Sequence, residues 1–208
     1  GGENCFALGG YEKTLLESML PVKCKMEDNN KHPDTGVVFA IDSSGSMDEE
    51  IDGVKKVDMA KQGVLKALEV LDPSDYAGVM SFSDTLNWQV PIENVSKQTD
   101  FRQRISSITP KGGTLIQPAV NAAIDELENL EVKVRHIILL SDGQAEKEGY
   151  DEYINAMKKN KITLSCISVG SDAEHELLQQ FAQKTGGRSY KVTDCKSLPK
   201  VFTQEMYM

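Results

Sequence analysis

The stretch Gly36-Val-Val-Phe-Ala-Ile-Asp-Ser-Ser-Gly-Ser-Met-Asp48 decides how this chain folds. Its five consecutive apolar residues, Val37 to Ile41, predict a strand that is buried on both faces, as in the centre of a parallel sheet. Asp42, Ser44 and Ser46 follow this strand, and the glycine between the two serines lets the backbone turn. The segment therefore predicts a carboxylate and two hydroxyl groups that point at one spot. Oxygen donors of this kind suit a hard cation such as Mg2+, Mn2+ or Ca2+.

The remainder of the chain alternates between strand patterns and helix patterns. Apolar runs predict strands over 37–41, 76–82, 86–90, 134–141, 163–169 and 189–192. Apolar stripes with helical spacing predict helices over 57–71, 101–108, 115–130, 150–160, 174–185 and 198–206. The connection between the second and third strands is too short for a parallel crossover, so the third strand should run antiparallel at an edge. The alternation predicts an α/β fold, a doubly wound and mostly parallel sheet with helices on both faces.

The segment Asp-Ser-Ser-Gly-Ser, 42–46, resembles the Asp-x-Ser-x-Ser signature of von Willebrand factor type A domains. In that family the signature forms most of a metal-ion-dependent adhesion site. Thr114, which follows two glycines, is similar to the family's threonine ligand, and Asp142, in Leu-Leu-Ser-Asp-Gly, is similar to its distal aspartate. The metal ligands that the resemblance implies are Asp42, Ser44, Ser46, Thr114 and Asp142. It also implies a Rossmann-like, six-stranded sheet with the order 3-2-1-4-5-6.

This strand order gives the motif a physical rationale. Strands one and four would be neighbours whose crossovers leave toward opposite faces, which opens a crevice at their carboxyl ends. Asp42 ends strand one, and Asp142 follows strand four. By resemblance, some of the carboxylates act through water and leave the ion an open coordination position. We therefore expect Mg2+, with Mn2+ or Ca2+ as alternatives, and an acidic side chain of a protein partner that completes the shell. The predicted function is a metal-dependent, adhesion-type protein–protein interaction.

Enzymatic activity is not expected. A serine hydrolase would need a Gly-x-Ser-x-Gly elbow and a histidine base, but Ser44 lacks that frame. The three histidines, His32, His136 and His175, are interpreted as structural or solvent-facing. The chain also lacks a Gly-x-x-x-x-Gly-Lys-Ser/Thr loop, which argues against nucleotide hydrolysis. Two alternatives stay open: a Mg2+-dependent hydrolase, because an open metal position can activate water, and a structural assembly module with an inert metal site.

Charge and composition narrow the classes of partner. The chain has 208 residues and a formal net charge of −9, and it shows no basic face, which argues against nucleic-acid binding. No apolar run approaches the ~20 residues that a membrane span requires, so no span is expected in this fragment. The acidic residues at 48–50 and 52 are interpreted as the solvated start of a helix rather than as a second cation site. The fragment is expected to be monomeric.

The first 34 residues differ from the rest and predict an N-terminal extension, followed by a type A domain over 35–208. The extension should contain a short helix over 11–20, an edge strand over 22–26 and a polar linker over 28–33. Its Leu-Pro-Val segment resembles segments that precede type A domains in bacterial membrane-associated proteins. The resemblance implies a larger cell-envelope parent and a membrane-associated or extracytoplasmic location, with a cytoplasmic one as the alternative.

The four cysteines show no spacing that is typical of a zinc site. Cys166 lies inside a predicted buried strand, where it is interpreted as a small core residue. Cys5 and Cys24 could form a disulfide in an oxidising compartment, but the sequence leaves that pairing open.

Overall fold

A computed structural model of the chain describes residues 35–142, 149–170, 175–194, 197–198, 201–202 and 205, all of which lie in one unit, Pro33–Met208. The predictions for the extension, namely the helix over 11–20, the strand over 22–26 and the Cys5–Cys24 pairing, lie outside the described residues. The domain boundary at residue 34 therefore stays a prediction. Among the described residues, no helix has the length and apolar character needed to cross a membrane.

The strands and helices alternate along the chain. The strands are β1 Thr35–Asp42, β2 Glu50–Ile51, β3 Val54–Lys55, β4 Tyr76–Phe82, β5 Leu86–Asn94, β6 Val134–Ser141, β7 Ile162–Val169 and β8 Ser189–Val192. The helices are α1 Lys56–Val70, α2 Phe101–Ser106, α3 Ile116–Glu128, α4 Asp151–Lys159 and α5 His175–Thr185. Near the C-terminus, Leu198, Val201, Phe202 and Glu205 are also helical.

Six of these strands form one sheet in the order β5-β4-β1-β6-β7-β8. Every neighbouring pair is parallel except β4 and β5, which are antiparallel. With the small β2–β3 hairpin left out, this order is 3-2-1-4-5-6, so the predicted topology and its antiparallel third strand are confirmed. Asp42 stands opposite Phe82 in β4, and Ile41 stands opposite Leu140 in β6. The carboxyl ends of the three central strands are therefore level at one edge of the sheet.

The sheet separates two layers of the core, and the central strand β1 contributes side chains to both. Val37, Phe39 and Ile41 pack with α1 and the C-terminal helical residues on one face, whereas Val38 and Ala40 pack with α3, α4 and α5 on the other. All five side chains are 0% exposed, as the apolar run predicted. Each large side chain buried in this way stabilises the fold by roughly 1.5–3 kcal/mol. The two layers hold β1 so firmly that Asp42, at its end, has a fixed position.

The C-terminal residues dock on the first of these layers, as the sequence predicted. Leu198 and Phe202 are buried, and Val201 packs against the same core. The rings of Phe202 and Phe39 have their centroids 6.2 Å apart. Phe202 also lies against Gly63 in α1, where an added Cβ would come within 2.2 Å of the ring. Helix α1 and the C-terminal segment can therefore approach closely only because residue 63 has no side chain.

The edge strand β5 is longer than predicted. It continues past Pro91 to Asn94, whereas the sequence prediction ended at residue 90. Its register with β4 shifts on both sides of Val79, and Pro91 lies in the first of these irregularities, between Val90 and Glu93. Proline is tolerated at an irregularity of this kind on an edge strand because its missing N–H leaves no ladder hydrogen bond unmade.

The acidic segment at 48–52 is not the start of a helix, so that interpretation was wrong. Glu50–Ile51 pairs with Val54–Lys55 in an antiparallel hairpin, and α1 begins only at Lys56. The two turn residues have positive φ, 53° at Asp52 and 78° at Gly53. An Asp-Gly pair is favoured in a two-residue turn of this kind, because glycine adopts positive φ without strain and aspartate tolerates it.

Candidate metal centre

The carboxylate of Asp42 is fixed by two hydrogen bonds at the end of β1. The backbone N–H of Ser44 donates to Oδ1 over 2.8 Å, and the hydroxyl of Ser141 donates to Oδ2 over 2.5 Å. The Oγ atoms of Ser44 and Ser46 lie 3.1 Å apart. The turn after β1 thus gathers one carboxylate and two hydroxyl groups, which is the arrangement that the spacing Asp-x-Ser-x-Ser predicts.

The loop that carries Thr114 is joined to this turn through the backbone. Lys111 N–H donates to the Ser43 carbonyl over 2.7 Å, and Gly45 N–H donates to the Gly112 carbonyl over 3.0 Å. Gly112 has φ +77°, and an added Cβ there would come within 2.2 Å of Asp84 Oδ2. A glycine at this position therefore lets the loop lie against both the turn and the β4–β5 connection, and brings Thr114 to the same edge.

Asp142 follows β6 beside this turn, and its side chain is only 1% exposed. Neither of its carboxylate oxygens has a hydrogen-bond partner among the described residues. A buried carboxylate without a hydrogen-bond partner is costly, because the hydrogen bonds that it made to water are not replaced. Oxygen donors that are buried, preorganised and unpartnered are what a hard cation would bind. The residues at this edge therefore fit Mg2+ or a similar ion.

The site is open on one side. Asp42, Ser44 and Asp142 are buried, whereas Ser46 and Thr114 are half-buried and Gly45 is exposed. The carboxylates thus form the floor of the site, and the outer hydroxyl groups form its rim. Among the described residues, no three or more His, Cys, Asp or Glu side chains form a group that could hold a metal ion, so the candidate centre would depend on two carboxylates and on hydroxyl groups.

Burial raises the pKa of the Asp42 carboxyl to about 6. Hydrogen bonds from Ser141 and Ser44 lower this pKa, and the nearby charge of Asp142 raises it further. The balance shows that two carboxylates crowd a space with little water. A cation between them would favour the ionised form of both.

Three residues at this edge were not predicted from the sequence. Ser141 donates to Asp42, Asp84 Oδ1 accepts the N–H of Gly113 over 2.9 Å, and Lys56 Nζ lies 3.5 Å from Asp142 Oδ2. A signal existed for Lys56, which stands one turn before Ala60 on the buried stripe of α1. Nothing local in the sequence marks Asp84, because its contact depends on how two loops meet.

The acidic segment near the site is paired with lysines rather than gathered around a second site. Asp48 Oδ1 lies 2.7 Å from Lys55 Nζ, and Glu49 Oε2 lies 2.7 Å from Lys56 Nζ. Among the histidines, His136 is buried inside β6, as predicted, with Nδ1 2.6 Å from the hydroxyl of Thr163. His175 Nδ1 lies 3.1 Å from Ser168 Oγ, but Ser168 is fully buried and cannot meet a substrate.

An open, mostly parallel sheet with helices on both faces defines a Rossmann-like α/β domain, a fold in which ligands bind at the carboxyl ends of the strands. The match to a family model is more specific: the chain belongs to the von Willebrand factor type A domain family, whose model matches residues 36–204. Domains of this family mediate protein–protein interactions.

Three similar proteins illustrate the range of this family. The chain is 27% identical over 200 residues to the uncharacterized protein YwmC of Bacillus subtilis, and the match covers 88% of each chain. It is 28% identical over 174 residues to mouse inter alpha-trypsin inhibitor heavy chain 4, covering 75% of this chain and 18% of that one. An aerotolerance-related membrane protein of Bacteroides fragilis has a similar structure, with a TM-score of 0.71 and 21% identity, over 84% of this chain and 98% of that one. The chain spans about a fifth of the length of the mouse and bovine heavy chains that it matches.

Proposed function

We propose that this chain is a metal-dependent protein-binding module that captures an acidic side chain of a partner through a divalent cation. The ligands would be Asp42, Ser44, Ser46, Thr114 and Asp142, and the ion would be Mg2+, with Mn2+ or Ca2+ as substitutes. The observation that carries the proposal is the buried carboxylate of Asp142, which has no hydrogen-bond partner among the described residues. Bound there, a divalent cation would offer an open coordination position to a carboxylate of the partner.

The chain's own residues divide the work. Ser44 N–H and Ser141 hold the Asp42 carboxylate in one orientation, so little side-chain entropy is lost when an ion binds. The buried position of Asp42 and Asp142 keeps bulk water from the inner side of the site. The half-buried Ser46 and Thr114 leave the outer side accessible, and that is where a partner would approach. The proposed centre contains two carboxylates, Asp42 and Asp142. Their combined charge of −2 can at most neutralise a divalent cation.

The similar proteins suggest the kind of parent protein to which this module belongs. The aerotolerance-related protein of similar structure is described as a membrane protein, and the mouse heavy chain is much longer than this chain. These likenesses support the proposal that the chain is one domain of a larger cell-envelope protein. Attachment to a membrane would then come from the parent protein. Catalysis is not part of the proposal, since no described contact supplies an accessible general base outside the carboxylates themselves.

The test is selection of ligands from a library of random peptides by the immobilised chain in Mg2+. Peptides that a chelator releases should be enriched in Asp and Glu, because a carboxylate is needed to complete the shell. The Asp142→Ala variant should retain no such peptides. Asp125→Ala is the matched control, because Asp125 is an exposed acidic residue in the last turn of α3, at the opposite end of this helix from Thr114. Equal retention by the Asp142→Ala variant, or enrichment without acidic residues, would refute the proposal.

A further inference from the structure

Lys56 is buried in a place where lysines are rare. It is the first residue of α1, yet only 2% of its surface is exposed. Lysine is almost never fully buried unless its ammonium group is paired, because a buried charge loses its hydration. The position of Lys56 is also constrained, since its backbone N–H donates to the Glu49 carbonyl over 2.9 Å. This lysine is therefore built into the edge of the sheet that carries the candidate metal centre.

Among the described residues, the ammonium group of Lys56 contacts two carboxylates of different kinds. It donates to Glu49 Oε2 over 2.7 Å, and the side chain of Glu49 is 61% exposed. It lies 3.5 Å from Asp142 Oδ2, whose side chain is 1% exposed. The contact with Asp142 is an ion pair without a hydrogen bond, because both oxygens of Asp142 lack a hydrogen-bond partner among the described residues. The closer partner is thus the exposed one, and the buried partner is held loosely.

We propose that Lys56 is a tethered counter-ion of Asp142, which positions this carboxylate before a divalent cation binds and limits the affinity of the site for that cation. The proposal rests on the metal centre proposed above. Taken together, Asp42, Asp142 and Lys56 carry a net charge of −1 when all three are ionised, in place of the −2 of the carboxylates alone. A divalent cation has to share Asp142 with the ammonium group. The ion is therefore bound less tightly than the carboxylates alone would bind it.

A purely structural lysine would behave differently. If Lys56 only filled space and paired with Glu49, its removal would weaken the fold without changing the affinity for an ion. If it is the counter-ion of Asp142, its removal weakens the metal-free protein and strengthens ion binding, because the site then carries one more uncompensated negative charge. The same variant should therefore be less stable without metal and should bind the ion more tightly, and these two quantities can be measured separately.

The first test is calorimetric titration of the metal-stripped full chain with Mg2+ and Mn2+, using wild type, Lys56→Met and Lys55→Met. Methionine keeps most of the length of lysine and removes the charge. Lys55 is the matched control, because it is adjacent, 43% exposed in its side chain and paired with Asp48 instead of Asp142. Lys56→Met should bind either ion at least about tenfold more tightly than wild type, since charges a few ångströms apart interact strongly in partly buried sites. Lys55→Met should change the affinity by less than about threefold, because exposed charges are screened.

A second pair of variants keeps Lys56 in place and does not risk the fold. Glu49→Gln removes the hydrogen-bonded carboxylate partner of Lys56, so the ammonium charge should act more strongly on Asp142 and ion binding should weaken by about threefold or more. Asp48→Asn removes an equally exposed negative charge that is paired with Lys55, and should have a smaller effect. Thermal unfolding of each metal-free variant supplies the stability readout, and Lys56→Met should regain stability on addition of Mg2+.

The outcomes separate this inference from the proposed function. The inference would be overturned if Lys56→Met bound the ion as tightly as wild type and if Glu49→Gln and Asp48→Asn had the same ion affinity. The metal-dependent module would still stand in that case. Ion uptake by Lys56→Met alone, with none by wild type, would support the counter-ion role and contradict the proposed function of the native chain. Uptake by neither protein would overturn both.

Discussion

The domain buries two acidic side chains along strand β6, and it surrounds them in different ways. Glu205 lies near the start of β6, where its Oε1 accepts the hydroxyl of Tyr190 over 2.5 Å and its Oε2 lies 3.2 Å from Nε2 of His136. Asp142 lies just past the other end of β6, where Nζ of Lys56 is 3.5 Å from its Oδ2. Burial alone therefore does not mark a functional site. The difference is one of degree: one oxygen of Glu205 accepts a hydrogen bond, whereas neither oxygen of Asp142 has a hydrogen-bond partner among the described residues.

The pKa values of the two regions show the same contrast. Burial raises the pKa of Glu205, but interactions with His136, Ser165 and Tyr190 lower it, and they outweigh burial. At the opposite edge, burial outweighs the hydrogen bonds and raises the pKa of Asp42 to about 6. The first region is electrostatically the more complete of the two: Oε1 of Glu205 accepts a hydrogen bond, although Oε2 has no hydrogen-bond partner among the described residues. In the second region, the hydrogen bonds do not fully offset the cost of burying the ionised Asp42 carboxylate, as expected of a site that binds a cation.

The largest effect on stability is expected at the more complete region. Glu205→Ala should lower the free energy of unfolding by about 3–5 kcal/mol, because it leaves the Tyr190 hydroxyl and the buried His136 ring without their carboxylate partner, at about 1–3 kcal/mol each, and opens a space in the core. The affinity for Mg2+ should not change, since Glu205 lies at the other end of the sheet. Urea unfolding measures the first quantity and calorimetry the second. Glu69→Ala, which removes the acidic partner of Arg102 and Lys66 at the surface, is the control and should cost less than about 1 kcal/mol.

A smaller effect of opposite sign is expected at the less complete region. The folded-state pKa of Asp42 is raised from 3.8 to about 6, so the metal-free folded protein binds more protons than the unfolded chain between these values. Its stability should therefore fall as the pH rises from about 4 to about 6, by about 3 kcal/mol for a shift of about two units. Above pH 6 the loss should be complete. Asp42→Asn should lack this fall and should be more stable than wild type at pH 8 without metal.

Urea unfolding of both proteins across this pH range, in the presence of a chelator, measures the effect. A wild-type protein that gains stability from pH 4 to pH 6 relative to Asp42→Asn would contradict the assignment of Asp42 as a strained carboxylate. The same raised pKa predicts that Mg2+ binds more weakly below pH 6, because the ion must then displace a proton.

The smallest expected effects are those of two glycine substitutions, which distinguish backbone strain from loss of a contact between loops. Gly112 and Gly53 have nearly the same φ, +77° and +78°, but an added Cβ meets Asp84 only at Gly112, whereas nothing lies within 4 Å at Gly53. Both Gly112→Ala and Gly53→Ala should cost about 1 kcal/mol of stability from φ alone. Only Gly112→Ala should also weaken Mg2+ binding, by several-fold, because it moves the loop that carries Thr114. Equal Mg2+ affinity in the two variants would show that this loop does not contribute to the site.

The sequence predicts the fold more fully than it predicts the environment of the site. The run Val37–Ile41 is apolar at every position, so its burial on both faces follows from composition alone. The strand order came from the family resemblance, and the structure confirms it. The extension of β5 past Pro91 was missed because a bulge depends on pairing between strands. The hairpin at Asp52 and Gly53 was missed because acidic residues before an apolar stripe also fit a helix start.

The local sequence pattern is enough to place the candidate ligands at one edge of the sheet. It does not predict which side chains contact them there. Asp42 and Asp142 follow apolar strands, so a parallel sheet brings them to the same edge. Lys56 was missed because a lysine at a helix start is ordinarily solvated, although it continues the buried stripe of α1. The contrast between Asp142 and Glu205 was out of reach for the same reason, since it is a matter of which donors the tertiary structure brings near each carboxylate.

The most direct test of the central claim is calorimetric titration of the metal-stripped chain with Mg2+ and Mn2+, beside Asp42→Ala and Thr114→Ala. These two residues come from different loops, so a shared loss would show that the loops form one centre. Our account predicts that the wild type takes up one ion per chain and that both variants lose this uptake. Uptake that persists unchanged in both variants, or no uptake by the wild type, would contradict it.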